Sequence, residues 1–287
     1  MFYLAAVSLV WAFSFGLTGK YLSGIDSFVV STIRLGIALA IFLPFLKWKQ
    51  VKPRDQAKLI FCGAIQFGLM YVSYIKAYQF IPSHLVALFS VLTPIYVVLI
   101  GDLQNRSLRP IYLLAGFLSV SGAAVIRARG GPVEGNLWIG FGLMQIAGFA
   151  FAFGQVYYRQ WKAAHPAIMD HQAFGFLYLG GFFFALISSL MLSDWSSVSI
   201  NFDQWKILLY LGAIASGVGF FLWNKGATVT TVGTLGAFNN VVIPLAIMVS
   251  LFVFGEVAGI SAEDTIRLVI GSILIGSAVW IGRRRIA

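Results

Sequence analysis

The stretch "WAFSFGLTGK" (Trp11–Lys20) mixes bulky aromatics with Ser, Thr and two Gly inside an otherwise apolar segment. It returns as "FAFAFGQVYYR" (Phe149–Arg159): with an offset of 138, Ala12, Phe13, Phe15 and Gly16 fall on Ala150, Phe151, Phe153 and Gly154. The echo continues in order along the chain. With an offset of 144, Asp26, Leu35 and Gly36 match Asp170, Leu179 and Gly180; with 149, Gly68 and Lys76 match Gly217 and Lys225, and Tyr71 and Tyr74 fall on Phe220 and Trp223. With 150, Leu85, Ala87, Val91 and Pro94 meet Leu235, Ala237, Val241 and Pro244. Each match is weak alone. Their order over four successive segments makes duplication the expected organisation, with residues 1–128 and 135–285 as its halves.

Composition sets where this repeat resides. The 287 residues are 59% hydrophobic and 10% charged, with mean hydropathy +0.87, against about 45–50% apolar and ~25% charged in soluble domains. Apolar runs near the ~20 residues that cross a bilayer as a helix occur at Phe2–Leu22, Ser27–Leu46, Lys58–Gln79, Ser83–Gly101, Ile111–Ile126, Asn136–Tyr158, Asp170–Leu192, Trp205–Gly226, Thr231–Phe254 and Thr265–Gly282. Strands of a membrane barrel would be ~10 residues long and alternate in polarity. An all-α integral membrane fold of ten transmembrane helices is therefore expected. The first run lacks an early Lys or Arg and leads straight into further runs, so it reads as a retained span and not a leader. The single cysteine, Cys62, excludes an intramolecular disulfide.

The net charge of +10 is topological. With the first residue on the cytoplasmic side, thirteen Lys and Arg fall in inner loops and ends, among them Lys47, Lys49, Lys52, Arg54, Arg159 and Arg283; six fall outside, and Arg34 lies within a span. An excess of Lys and Arg inside is the orientation signal of multi-pass proteins. It predicts an inner-membrane protein with both termini cytoplasmic, and leaves the basic balance no need of a nucleic-acid partner. Five spans per half is an odd number, so the second half should run opposite to the first. Inverted repeats of this kind build many secondary transporters, which bind substrate near the bilayer midplane at the repeat interface.

Helical spacing identifies the faces that would line such a site. Trp11, Ser14 and Thr18 share a face of span one, and Gln145, Gly148, Ala152 and Gln155 a face of span six. Span three sets Tyr71, Tyr74 and Tyr78 together, and its partner sets Ser216, Phe220 and Trp223, with Asn224 beside them. Ser83, Ala87, Ser90 and Pro94 have the same spacing as Gly233, Ala237, Asn240 and Pro244, with Asn239 adjacent. Proline removes a backbone donor, and Pro-interrupted spans in matching positions point to a binding site; a plain kink is the other reading. Trp11, Ser14, Tyr74, Tyr78, Ser90, Gln145, Gln155, Trp223, Asn224, Asn239 and Asn240 are thus candidates for the cavity wall. Arg34, Lys76 and Lys225 are charges that either contact substrate or snorkel to the interface. His84 and His171 sit near span starts, where a solvated histidine is ordinary. No intramembrane chain of Asp or Glu supports proton coupling. No metal, cofactor or catalytic motif is present, and the Gly-rich "GAIASGVGF" follows no strand.

These residues resemble the drug/metabolite transporter superfamily, EamA type, across essentially the whole chain. "WAFSFGLTGKYL" resembles the family's first span (Trp11, Phe15, Lys20), and "STIRLGIALAIFL" its Arg-bearing second (Arg34). "AYQFIPSHLVALFSVLTPIYVVLI" and "GATVTTVGTLGAFNNVVIPLAIMVSLFVFGE" resemble its third-to-fourth and eighth-to-ninth regions, with Pro94 and Pro244. Gly255 and Glu256 match the family's Gly-Glu close; in the first half Gly101 and Asp102 come early, and the expected position holds Arg106. The resemblance implies ten helices around a central cavity and transport, often export, of small metabolites such as amino acids or their analogues. Efflux of lipophilic amphiphiles is the rival within transport, and a membrane enzyme or channel the rival outside it. A small-molecule substrate and membrane lipid are the expected partners, with a monomer or weak dimer as the working unit.

Overall fold

The computed structural model describes residues 1–22, 24–81, 86, 89–127, 136–252 and 262–284, with Phe15, Gly19 and Lys20 among those described by backbone alone. The helices are α1 (Phe2–Tyr21), α2 (Ser27–Phe42), α3 (Pro53–Ala77), α4 (Thr93–Asn105), α5 (Pro110–Arg127), α6 (Leu137–Ala164), α7 (Asp170–Leu192), α8 (Phe202–Thr228), α9 (Val232–Phe252) and α10 (Ala262–Gly282). Among the described residues there is no strand. Among the described residues six helices are long and apolar enough to cross a bilayer: α2 with its 3-10 end, α3, α6, α7, α8 and α10; shorter apolar stretches lie in α1, α5 and α9.

Local chemistry sets the helix starts. The Asp26 carboxylate caps α2 by accepting from the N–H groups of Phe28 and Val29 at 3.0 and 3.1 Å, filling donors that the first turn leaves open. Pro53 opens α3, where a missing N–H costs nothing. Asn201 and Gln204 exchange side-chain and backbone bonds at the start of α8.

Two departures from regular helix shape the interior. Residues Ala64–Leu69 of α3 and Leu211–Val218 of α8 are π-helical, and the offset of 149 that pairs these helices in sequence nearly superimposes the two segments. A π turn displaces carbonyls from the usual ladder. In α8 they are taken by side chains: Trp11 Nε1 donates to the Ala215 carbonyl at 2.9 Å, and the Tyr178 hydroxyl lies 2.7 and 2.6 Å from the carbonyls of Ser216 and Gly217. Periodicity alone predicts neither segment.

The second departure is at Pro94, expected as a kink in mid-span. Helical Phe89 leads into a 3-10 turn, Ser90–Leu92, which precedes α4, and Pro94 sits in the first turn of α4. Proline cannot donate to the carbonyl four residues back, that of Ser90; the Thr93 hydroxyl donates to it at 2.7 Å instead. Pro244 is the interior proline expected, within α9. Arg106, at φ 50°, ends α4 in the left-handed region, and the buried Asp102 accepts from the Arg109 N–H at 2.9 Å. The early acid of the first half therefore braces the turn into α5.

The packing crosses between halves. α1 lies on α8 and α9, while α6 lies on α3 and α4; α2 pairs with α7, α4 with α9, and α5 with α10. The closest approach is α3 on α7: a Cβ at Gly63 would stand 1.9 Å from the Leu177 carbonyl oxygen, and one at Gly180 1.8 Å from that of Ile60.

Candidate functional site

Three cavities follow one another along α1. Met1 lines the first, Trp11, Ser14 and Thr18 the second, and Thr18 and Leu22 the third. The central cavity, about 140 Å³, far exceeds the roughly 10–15 Å³ that one water requires. α2 adds Arg34 to its wall; α3 adds Met70, Tyr71 and Tyr74; Val86, Ser90 and Thr93 come from the α4 region; Met144, Ala147, Gly148 and Phe151 from α6; Phe220 from α8; Asn239 and Val242 from α9.

Arg34 is 4% exposed. Its Nε donates to Ser216 Oγ at 3.2 Å and Nη1 to Thr18 Oγ1 at 3.4 Å, and the guanidinium carbon stands 4.9 Å from the Tyr71 ring centroid. Among the described residues no carboxylate pairs with it. A guanidinium carries five donors, and the bonds to Ser216 and Thr18 use two of them. Arg34 is thus buried at the wall of a cavity.

Aromatic rings form much of the rest of the wall. Trp11 stacks on Trp223 at 4.7 Å and meets Phe220 and Phe151 edge-on at 5.2 and 5.9 Å. Below this layer the fully buried Gln155 accepts from Trp223 Nε1 at 2.8 Å and faces the Asn239 amide at 3.4 and 3.5 Å. The layer separates two cavities. In α6 Phe151 lines the central cavity and Arg159 the first one; in α8 the pair is Phe220 and Thr228, in α9 Asn239 and Thr231. The pairs in α6 and α8 are eight residues apart, about 12 Å of helix, with Gln155 and Trp223 in the interval; in α9 Thr234 also lines the first cavity, five residues from Asn239. Towards the other side the barrier is thinner, because Thr18 belongs to both cavities and the Tyr74 and Tyr78 hydroxyls touch at 2.9 Å.

Of the residues singled out in sequence, Trp11, Ser14, Tyr74, Ser90, Asn239 and Arg34 line the central cavity. Tyr78 lines the third. Gln145 lies off the cavity wall, accepting from the Tyr96 hydroxyl at 2.7 Å and donating to the Phe89 carbonyl at 3.2 Å. Gln155 and Trp223 form the seal. Asn224 is buried behind it, accepting from Gln66 Nε2 at 3.1 Å and donating to the Phe220 carbonyl. Asn240 is 1% exposed and donates to the Val91 carbonyl at 3.0 Å, tying α9 to the turn before Pro94. Pro94 and Pro244 are both buried. Lys76 and Lys225, in the last turns of α3 and α8, lie over the Phe28 and Tyr3 rings at 5.4 and 5.3 Å, away from the central cavity. Ser83, His84, Ala87, Gly255 and Glu256 lie outside the described residues, as does the Lys20 side chain. Thr18, Tyr71 and Phe151, on or beside the faces that helical spacing marks, complete the wall. Thr93 was missed; its place before Pro94 was the available signal.

Asn240 gives a first prediction. Replacing it by Leu leaves a buried carbonyl without its donor, a cost of about 1–3 kcal/mol, at the joint between the two proline helices. Asn240→Leu is expected to lower initial transport rates about tenfold while the purified protein remains monodisperse; wild-type rates would remove the joint from the mechanism.

The EamA-like transporter family model matches residues 1–128. A Pseudomonas aeruginosa protein described as a probable biotin transporter is 36% identical over 285 residues, covering 99% of this chain and 97% of its own. The biotin transporters of Salmonella typhimurium and Escherichia coli strain K12 are each 35% identical over 286 residues, covering 99% of this chain and 93% of theirs. A solved crystal structure superposes with a TM-score of 0.76 at 18% identity, over 98% of this chain and 93% of the other, and so shares the fold. With its relatives matched from end to end and a helical body that encloses a cavity lined by the buried Arg34, the chain belongs to the EamA-like transporter family: it is a multi-pass membrane transporter and not an enzyme.

Proposed function

We propose that the protein carries a small organic carboxylate across the membrane, biotin foremost, by alternating access through the central cavity. Arg34 carries this reading: a guanidinium held out of water, without a carboxylate partner among the described residues, at the wall of an aromatic cavity. Buried charge is costly unless paired, and a planar fork is suited to a carboxylate. Biotin has a carboxylate at one end, an apolar chain, and a cyclic urea at the other. Arg34 would take the first, the rings of Trp11, Phe151 and Phe220 the second, and Asn239 or the hydroxyls of Ser90 and Thr93 the third. The names of the relatives point to the same compound. Export of amino acids, expected from the sequence, would call for an acidic group to meet the ammonium; among the described lining residues Arg34 is the one charged side chain, which favours a monoanion. A carrier of this kind follows the gradient, so one cavity serves export or uptake.

The architecture behind this reading is two inverted repeats of five spans in the inner membrane, with cytoplasmic termini and a monomer or weak dimer as the unit. The crossed packing of the halves supports it, as do the matched π segments. So does the order of lining residues: α3 runs from the central cavity away from the Met1 side and α8 runs towards it, as inverted partners should.

Counterflow in liposomes tests the function. Labelled biotin should enter saturably, be driven by biotin on the far side, and be inhibited at least about tenfold better by biotin than by its neutral amide, the worth of one charge-assisted bond. Absence of saturable biotin flux would remove biotin as substrate. Equal inhibition by the amide would remove Arg34 as its partner and favour efflux of uncharged amphiphiles.

A further inference from the structure

The cavity on the Met1 side measures about 590 Å³ and is lined by Arg109, Arg159 and Arg283 together with Thr228, Thr230, Thr231 and Thr234. No Asp or Glu is among its described lining residues. The three cations come from unrelated places, the turn into α5, the last third of α6 and the end of α10, so no single helix pattern brings them together. Arg159 spends Nε on the Thr230 carbonyl at 3.2 Å, while Arg109 lies 5.8 Å from the Tyr112 ring centroid. Like charges focused into one concavity repel unless an anion shares it, and such a concavity raises the local concentration of anions.

We propose that this vestibule is a second carboxylate site, where the transported anion docks beyond the Gln155–Trp223–Asn239 layer from the central cavity, on the face read as cytoplasmic. The proposal rests on the carboxylate reading of the central cavity. The register of the helices supports it. α6, α8 and α9 each lead from the central cavity to this vestibule within eight residues, through the Gln155–Trp223–Asn239 layer. An anion leaving Arg34 on this side enters a basin of three guanidiniums, and one arriving is collected there before the layer opens. The same chemistry would hold a phosphate, whether free or on a lipid headgroup.

Arginine modification by phenylglyoxal, mapped by mass spectrometry on the full chain in phosphatidylcholine vesicles, separates these sources. Biotin or valerate is expected to slow modification of Arg159 and Arg283 about fivefold or more, with biotin amide ineffective, as charge attraction requires. The protection should persist in Arg34→Gln. Protection that appears only with phosphatidylglycerol in the vesicles would reassign the site to a lipid headgroup. Protection by inorganic phosphate and not by carboxylates, or by no anion, would overturn the proposal. Carboxylate protection in a protein that moves no biotin would uphold the vestibule and sink biotin as the transported compound. In transport, Arg283→Gln should raise KM about fivefold from the vestibule side alone, with kcat kept; an unchanged KM on that side would count decisively against docking.

Discussion

Arg34→Gln is expected to abolish saturable biotin flux in proteoliposomes while the folded protein becomes no less stable. Removing one partner of a desolvated charge pair costs about 2–5 kcal/mol, a fall of at least roughly 30-fold in kcat/KM, because a glutamine offers the carboxylate neither charge nor fork. The stability half has the opposite sign. Without substrate the guanidinium is buried beside Thr18, Ser216 and Tyr71, with no carboxylate among the described residues to offset its lost hydration. A neutral amide relieves that cost. Melting followed by tryptophan fluorescence should therefore show an unchanged or higher Tm in the absence of substrate, and loss of the upward Tm shift that biotin gives the wild type. Arg34→Lys keeps a point charge without the bidentate geometry and should retain a small part of the flux. A variant that loses flux and Tm together would make Arg34 a structural residue, its hydrogen bonds to Ser216 and Thr18 holding α2 to α8 and α1.

Gly180→Ala is expected to damage the fold itself. α3 and α7 approach backbone to backbone: the new methyl would stand 1.8 Å from the Ile60 carbonyl oxygen and 2.8 Å from the Ala64 nitrogen, at the entry to the π segment of α3. Neither atom is the end of a flexible side chain. The helices must separate by more than an ångström, and overpacking costs about 1–3 kcal/mol, more where backbone is the obstacle. A loss of about 10 °C in Tm is expected for the upper end of that range, or failure to accumulate. Gly63→Ala, 1.9 Å from the Leu177 carbonyl on the facing helix, should behave alike. Gly142→Ala and Gly276→Ala, with nothing within 4 Å, are the controls and should melt as wild type. Equal melting of Gly180→Ala and Gly142→Ala would mean that α3 and α7 are not so closely apposed.

The echo between Trp11–Lys20 and Phe149–Arg159 shows how far residue patterns reach. Its small residues looked alike in sequence, yet they do different work. A Cβ at Gly154 would lie 2.1 Å from the Gln66 Cβ, so this glycine admits the amide that bonds Asn224. Its counterpart Gly16 is exposed. Gln155 was read as a cavity wall because a buried amide needs partners. It has them, but they are Trp223 and Asn239, and the result is a seal between two cavities. The amides of Asn224 and Asn240 were likewise placed facing inward, as the structure has them, but they end on protein groups behind the wall.

From the sequence alone came the membrane setting, the helical runs, the candidate halves and the inward faces. Those are consequences of composition and of a 3.6-residue period, which act along one segment at a time. Which face meets which helix is not written in any one segment. Helix α1 could turn Trp11 towards several neighbours with the same period, and only packing against α8 and α9 stacks it on Trp223 and places its Nε1 on the carbonyl that the π turn releases. The same holds for charge. Arg34 lies at a depth where both snorkelling and burial are open to a flexible side chain, and the choice falls to Ser216, 182 positions away in the chain. Spacing within a helix determines what faces inward; contact between helices decides whether an inward residue meets substrate, seals a cavity or holds its neighbour.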